Sequence, residues 1–144
     1  MQNPVAIIGS RFPKIVIPLI KNAKKSIRVI IFDWRWYPTI GGSSVSQFNQ
    51  AVVSAVTRGV SVRALVNNNA VAERLKSHGC EAKLLHSKKM LHTKMLLIDD
   101  TLLVIGSHNY TQHGFELNEE ASVLVELPSV EHEFVTYFEN LWGV

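Results

Sequence analysis

A single cysteine, Cys80, occurs among the 144 residues, which excludes both an internal disulfide and a zinc site built on several thiolates. No run of about 18 apolar residues is long enough to cross a bilayer. The N-terminus, Met-Gln-Asn-Pro-Val, lacks the basic start and apolar stretch of a secretory signal. We therefore expect residues 1–144 to form one soluble domain in the reducing cytoplasm, without stable membrane insertion.

The composition is that of an ordinary globular protein. Hydrophobic residues make up 47% of the chain and charged residues 19%, and 15 basic against 12 acidic residues give a net charge of +3. This bias favours anionic partners, but it also fits a solvated surface with no particular ligand. Composition alone therefore leaves the partner undecided.

Apolar periodicity predicts alternating strands and helices in the first half of the chain. Strands are expected over 5–8, 27–33, 60–66 and 80–85, and helices over 14–25, 46–58 and 70–78. In the second half, strands are expected over 91–98, 101–107 and 119–126, with a hairpin turn at Asp99-Asp100 and a closing helix over 130–142. The pattern predicts an α/β fold whose mixed, mostly parallel sheet has helices on both faces.

Two polar residues stand on one face of the strand predicted over 91–98. Side chains two apart in a strand point the same way, so His92 and Lys94 are expected to project together. An ammonium buried without an anion is costly. Either this face is open to water, or an anion binds there.

The hairpin is expected to place residues 105–109 opposite His92 and Lys94. Gly106 would leave room for a ligand to approach the backbone, Ser107 would offer a hydroxyl, and Asn109 would offer an amide donor. Such a set suits the non-bridging oxygens of a phosphate.

The spacing His92-x-Lys94-x4-Asp99-x6-Gly106-Ser107-x-Asn109 resembles the signature of the phospholipase D superfamily. The acidic segment at Asn118-Glu119-Glu120 also resembles one that follows the signature in many members. The alternating first half and the segment Phe138-x-x-Leu141-Trp142 are similar to the rest of such a domain.

The resemblance implies a metal-independent phosphodiesterase that needs no cofactor. One histidine attacks phosphorus to form a phosphohistidine, and a second histidine protonates the leaving oxygen and then activates water. The sequence holds one copy of the motif, as in the small bacterial endonucleases of the family. We therefore predict a homodimer whose shared site contains His92, Lys94, Ser107 and Asn109 from each copy, with Glu120 orienting the His92 ring.

Other residues have open or secondary roles in this prediction. Asp99 is expected to stabilise the hairpin or the dimer interface, and His86 and His108 are either structural or at the rim of the site. A metal site formed by these three residues and His92 is rejected, because the spacing is not typical of zinc and Lys94 would repel a cation.

Nucleic-acid binding is predicted for two exposed segments. Lys88 and Lys89 precede the motif and could hold neighbouring phosphates, or they could belong to a solvated loop. The loop from Trp34 to Ser44 carries Arg35, Trp36 and Tyr37. Its aromatic rings could stack on unpaired bases or pack into the core.

Three functions remain open on sequence grounds. The first is an endonuclease acting on DNA or RNA, which the size, the basic charge and the aromatic loop favour. The second is a phospholipid hydrolase acting on phosphatidylcholine or cardiolipin, which would want an apolar membrane-binding face. The third is a non-catalytic nucleic-acid-binding module, which would have no need of a histidine nucleophile.

Overall fold

The structure is a computed structural model that describes residues 4–37, 42–85 and 88–143. Within these ranges the chain forms seven strands and four α-helices, with one π-helical turn at His113–Leu117. The strands are β1 (Val5–Ile8), β2 (Ser26–Ile31), β3 (Ser61–Val66), β4 (Glu81–Leu84), β5 (Lys94–Ile98), β6 (Leu102–Gly106) and β7 (Ala121–Glu126). The helices are α1 (Arg11–Lys21), α2 (Ser44–Thr57), α3 (Asn69–Ser77) and α4 (Glu133–Trp142).

The described strands form one mixed sheet in the order β1-β7-β6-β5-β2-β3-β4. The predicted α/β fold is confirmed, but the prediction of a mostly parallel sheet is wrong. Only the β2–β3 and β3–β4 neighbours are parallel, whereas β1–β7, β7–β6, β6–β5 and β5–β2 are antiparallel. The α2 and α3 crossovers produce the two parallel pairs, while β1 pairs with β7 instead of with β2.

Helices cover both faces of the sheet, as the sequence predicts. Helices α1, α2 and α3 pack on one face, where Phe12, Phe48 and Leu75 are fully or almost fully buried. Helix α4 covers the other face, and its fully buried Phe138 lies in a cluster with Met95 and Leu97 of β5. Burying a side chain of this size contributes roughly 1.5–3 kcal/mol.

An ion cluster holds α4 on the sheet. Glu139 accepts hydrogen bonds from Arg28 Nε (3.1 Å) and Arg63 Nη1 (3.1 Å), which stand side by side on β2 and β3. The hydrogen bond from Arg63 holds the pKa of Glu139 below its usual value, despite the opposing effect of burial. Arg28 also pairs with Asp100. The closing helix is therefore fixed by charge as well as by apolar contact.

Cys80 is a buried, neutral residue in the core. Its side chain lies among the residues that pack under α1, α2 and α3 and is 5% exposed. Burial raises the pKa of its thiol to about 11, so the reactive thiolate is scarce at neutral pH.

The β5–β6 turn has the predicted place and geometry. Asp99 and Asp100 both have positive φ angles, 54° and 59°, and Thr101 N donates to Ile98 O at 3.1 Å. Two residues with positive φ are typical of the tight turn that matches the twist of a hairpin. The resulting register places Met95 opposite Ile105 and brings the end of β6 beside the start of β5.

Asp99 anchors this turn to the segment between α1 and β2. Its carboxylate accepts from the backbone N–H groups of Lys24, Lys25 and Ser26 at 2.7–3.1 Å. Burial raises the pKa of Asp99, but these three donors outweigh burial, so the pKa lies below its ordinary value. Asp99 follows the last residue of β5, at the opposite end from Lys94.

We expect Asp99→Asn to lower the free energy of unfolding by about 2 kcal/mol at neutral pH, because an amide is a weaker acceptor than a carboxylate. Since the folded pKa is depressed, this stabilisation is present above pH 3.8 and is lost as the pH falls through the lower folded pKa. Urea unfolding from pH 7 to pH 2 measures it, and the two stability curves should converge at the acidic end. Glu126→Ala, at an exposed position on β7, is the control. Parallel curves for Asp99→Asn and the wild type would refute this role.

Candidate active site

The predicted site residues gather at one end of the sheet. Lys94 is the first residue of β5 and pairs with Ile31, the last of β2, while Gly106 ends β6 opposite Ser122 near the start of β7. The ends of four consecutive strands of the sheet, β7, β6, β5 and β2, thus meet at this edge. Polar side chains can stand here without breaking the apolar faces of the sheet.

His92 and Lys94 form the centre of this edge. Lys94 Nζ lies 3.0 Å from Nδ1 and 3.3 Å from Nε2 of His92, and the imidazole is exposed to solvent. The strand begins at Lys94 instead of residue 91, so His92 lies just before β5, yet the two side chains still project together. An ammonium can donate to an imidazole nitrogen that carries a lone pair. The contact therefore holds an imidazole beside a positive charge.

Phe32 forms the inner wall behind this pair. Its ring centroid lies 4.7 Å from that of His92, and Lys94 Nζ lies 5.4 Å from the Phe32 centroid. Partial burial lowers the pKa of Lys94, against the opposing charge of Glu120. A partly desolvated ammonium interacts more strongly with an incoming anion than one in bulk water.

Ser107 and Glu120 form a second polar group at the same edge. Ser107 Oγ donates to Glu120 Oε1 at 2.6 Å and accepts from the backbone N–H of Ala121 at 2.9 Å. Asn118 Nδ2 donates to the other carboxylate oxygen at 3.1 Å. Glu120 is therefore held in place and contributes negative charge close to Lys94.

Glu120 has different partners from those predicted. Its carboxylate binds Ser107 and Asn118, while the nitrogens of His92 face Lys94. Within one copy of the chain, the prediction that Glu120 orients the His92 ring is therefore wrong. The sequence places Glu120 on the correct edge but does not reveal that the hydroxyl of Ser107 lies nearer to its carboxylate.

Asn109 connects the site to the end of β2. Its Oδ1 accepts from the backbone N–H of Asp33 at 3.0 Å, and Tyr110 exchanges backbone hydrogen bonds with Asp33 and Arg35. This contact orients the amide so that its Nδ2 group is available as a donor. Asn109 thus holds the segment after β2 in position at the site.

Gly106 is needed for a reason other than the predicted one. A Cβ atom at this position would lie 2.5 Å from the carbonyl oxygen of Ala121 and still closer to Ser122. The space beside Gly106 is therefore filled by β7 and is not open for a ligand. The residue permits close pairing of β6 and β7, which brings Ser107 and Glu120 together.

His108 is a buried structural residue and not part of the rim. It is 1% exposed, its ring stacks on Phe12 at 4.5 Å, Nε2 donates to Gly9 O at 2.9 Å, and Nδ1 lies 2.7 Å from Ser122 Oγ. Burial lowers the pKa of His108, so the ring is kept neutral. His86, which entered the sequence predictions, lies outside the described residues, as do residues 38–41 of the predicted loop.

The other predicted binding residues lie in the segment after β2 and in the segment before His92. Lys88 and Lys89 are exposed just before His92, and Arg35 is exposed and paired with Asp33 at 2.8 Å. Trp36 is half-buried. Tyr37 is 37% exposed, and its hydroxyl accepts from Gln112 N at 3.2 Å. Trp34, in contrast, is buried and donates to Asn49 at 2.7 Å, so it belongs to the core.

Sequence reasoning missed four residues that support the site. Phe32 contacts the His92 ring, and Asp33 N donates to Asn109. Asn118 donates to Glu120, and the hydroxyl of Tyr137 on α4 lies 3.0 Å from that of Thr93, the residue between His92 and Lys94 in the chain. The carboxamide of Asn118 stood beside Glu120 in the acidic segment and could have been found there. The contact of Tyr137 joins residues 44 apart in sequence, and no local pattern indicates it.

The first positions of the motif recur once in the sequence. His86-Ser87-Lys88 repeats the His-x-Lys spacing, so this pair of residues by itself occurs twice in the chain. Threonine stands at position 93, where the motif would require aspartate, and His86 is outside the described residues. The full motif is therefore present in a single copy.

A family model described as "Cardiolipin synthase, PLD-like domain" matches residues 16–142. The chain belongs to the phospholipase D superfamily. In the described part of the chain, no helix is long and apolar enough to cross a membrane.

Similar proteins agree with this membership of the phospholipase D superfamily. "Mitochondrial cardiolipin hydrolase" of Xenopus tropicalis is 24% identical over 96% of this chain, which spans 64% of that protein's length. Nuc of Salmonella typhimurium, a phospholipase D family member, superposes with a TM-score of 0.79 at 21% identity, covering 98% of this chain and 95% of that one. NucT of Helicobacter pylori gives a TM-score of 0.77 at 18% identity, over 98% and 96% of the two chains. At these identities the two structural likenesses show the fold alone.

Proposed function

We propose that this protein is a metal-independent endonuclease that cleaves phosphodiester bonds of DNA or RNA in a site shared by two copies of the chain. The observation that carries the proposal is the exposed imidazole of His92 with the Lys94 ammonium 3.0 Å from its ring nitrogen. An imidazole and a fixed cation at one open edge suit an anionic phosphorus centre, and Lys94 supplies there the positive charge that a metal would otherwise supply.

Hydrolysis would proceed in two displacements. A His92 nitrogen forms a bond to phosphorus, the bond to the leaving oxygen breaks, and that oxygen takes a proton from the His92 imidazolium of the second copy. The second imidazole, now neutral, takes a proton from water, whose oxygen attacks phosphorus as the phosphorus–nitrogen bond breaks. One phosphodiester and one water thus give a phosphomonoester and an alcohol. Lys94 and Asn109 would donate to the non-bridging oxygens.

A second histidine is required because one imidazole is spent as the nucleophile. Of the other described histidines, His108 is buried, His78 stacks on Trp36 and His132 caps α4 through Phe134 N. This leaves His113, which is exposed on the π-helical turn and lies outside the motif. A two-fold axis beside His92 would supply the missing group from an identical chain. This chain covers 95% of the Nuc chain and 96% of the NucT chain, so it is about as long as they are.

Nucleic acid is favoured over lipid by the surface around the site. Lys88 and Lys89 are exposed shortly before His92 in the chain, Arg35 is exposed in the segment after β2, and the chain carries a net charge of +3. Phospholipid hydrolysis is the second candidate, because a relative that matches 96% of the chain is named for cardiolipin hydrolysis. The two candidate functions are separated by incubating the protein in excess chelator with single-stranded DNA, duplex DNA, RNA or cardiolipin vesicles. Cleavage of vesicles without cleavage of any nucleic acid would refute the nuclease.

The shared site makes a quantitative prediction. When wild type and His92→Ala chains are coexpressed in equal amounts, a site that needs two histidines leaves about one quarter of the dimers active, whereas independent sites leave about one half of the sites active. We expect cleavage of a labelled oligonucleotide to follow the square of the wild-type fraction. Mixtures with His113→Ala, an exposed histidine on the π-helical turn, are the control and should stay fully active. A linear dependence, or an active species that sediments as a monomer, contradicts the shared site.

A further inference from the structure

A pocket of about 310 Å³ lies between the segment after β2 and the first turns of α3, apart from the His92–Lys94 centre. This volume is at the lower end of the range for small-molecule sites. We call it the Trp36 pocket. Its lining residues are Trp34, Arg35, Trp36, Asn68, Ala70, Val71 and Arg74.

The walls of the Trp36 pocket combine a fixed aromatic ring with two cations. The Trp36 ring stacks on His78 at 5.4 Å with an interplanar angle of 17°, and it lies 6.3 Å from Trp34. A ring already stacked on one neighbour has less freedom to lose when a ligand binds. Arg35 and Arg74 are both exposed, and Asp33 fixes the Arg35 guanidinium. Ala70 and Val71 add apolar surface.

The Trp36 pocket is connected directly to the active-site edge. Asn67 Nδ2 donates to Leu91 O at 2.8 Å and to Phe32 O at 3.3 Å. Leu91 precedes His92 and Phe32 touches its ring, while Asn68 and Trp34 line the pocket. Trp34 is two residues after Phe32, and two residues of extended chain span at most about 7 Å. The pocket therefore begins within about 7 Å of a residue that contacts His92.

From this arrangement we infer that the Trp36 pocket receives an unpaired base of a single-stranded nucleic acid whose backbone lies at His92. The inference rests on the proposed nuclease function and names its substrate class. A planar base would pack on Trp36, and its flanking phosphates would bind Arg35 and Arg74. A paired base is stacked inside a duplex and cannot enter. The aliphatic chains and glycerol of a phospholipid offer no planar ring to Trp36.

The test compares two single-stranded substrates that differ only in their bases. Oligothymidylate and an abasic oligomer of equal length are cleaved in excess chelator, and the ratio of their kcat/KM values is measured. We expect the wild type to prefer oligothymidylate by about tenfold, since stacking of one base on an aromatic ring has that order of effect. In Trp36→Ala the ratio should fall towards one, and Trp36→Phe should restore most of it.

Two further variants separate the roles of the wall residues. Arg74→Ala should weaken cleavage of both oligomers alike and reduce the salt dependence, as expected of a phosphate contact. Lys76→Ala, on α3 but outside the pocket and paired with Glu73, is the matched control and should behave as the wild type. An unchanged ratio in Trp36→Ala overturns the inference.

Failure of the proposed nuclease function can be distinguished from failure of the inference about the Trp36 pocket. If the wild type cleaves neither oligomer, and no duplex DNA or RNA either, the proposed function is wrong. The pocket is then tested by binding, from fluorescence anisotropy of the same labelled oligomers. Preference for oligothymidylate that Trp36→Ala abolishes still supports a base in the pocket. Equal binding of the two oligomers by the wild type overturns it.

Discussion

Replacing His92 with alanine should abolish phosphodiester cleavage, with kcat/KM falling by at least about 10⁴-fold. In the proposed mechanism the exposed imidazole is the nucleophile, and Lys94, 3.0 Å from it, cannot replace it because its ammonium carries no lone pair. In a two-copy site the same substitution removes the general acid as well, so both displacements lose a reacting group. Cleavage of an oligonucleotide in excess chelator measures the effect.

The fold should survive His92→Ala, because the ring is exposed and precedes β5 without taking part in the sheet. Circular dichroism and the midpoint of urea unfolding should match those of the wild type. His113→Ala is the matched exposed histidine and should keep its activity. If His92→Ala retained a tenth or more of the wild-type rate while correctly folded, the nucleophile would have to be another residue.

Gly106→Ala should lower the free energy of unfolding by about 3 kcal/mol or more, the upper range for overpacking. The added Cβ would meet the backbone of β7 at Ala121 and Ser122, which can yield only if the β6–β7 pairing opens. For a domain of this size the melting temperature should fall by roughly 10 °C. Differential scanning calorimetry and urea unfolding measure the loss.

Two other glycines separate overpacking from backbone strain. At Gly42 an added Cβ has open space and the φ is not positive, so Gly42→Ala should leave the free energy of unfolding nearly unchanged. At Gly59 the space is also open but the φ is +95°, so Gly59→Ala should lower the free energy of unfolding by about 1 kcal/mol. If Gly106→Ala were as stable as Gly42→Ala and merely inactive, the glycine would serve ligand access, as the sequence alone suggested. A loss of stability would instead establish its role in strand packing.

The order of strands depends on contacts that the local sequence does not contain. The strand–helix–strand pattern at residues 5–31 looks like a parallel unit, yet β1 pairs with β7, whose partner residues lie more than 100 positions away. Pairing between distant strands depends on which sheet edge remains uncovered once the other elements have packed. This is why the number of strands could be predicted and their mostly antiparallel arrangement could not.

Short-range chemistry did determine the centre of the site. His92 and Lys94 share a side because alternate residues do so in extended chain, and Asp99-Asp100 makes a tight turn because both residues tolerate positive φ. The hairpin then brings Ser107 and Asn109 to the same edge. The motif residues are therefore close together for reasons that can be read within 20 residues of chain.

Tertiary structure alone decided what each polar group at the site actually touches. Glu120 binds Ser107 and Asn118 instead of His92, and His108, next to two site residues, turns into the core between Gly9 and Ser122. A hydrogen bond forms or fails over less than 1 Å, and that distance depends on how β6 and β7 pack around Gly106. The sequence thus determined which groups reach the edge, and the packing of distant strands determined their partners.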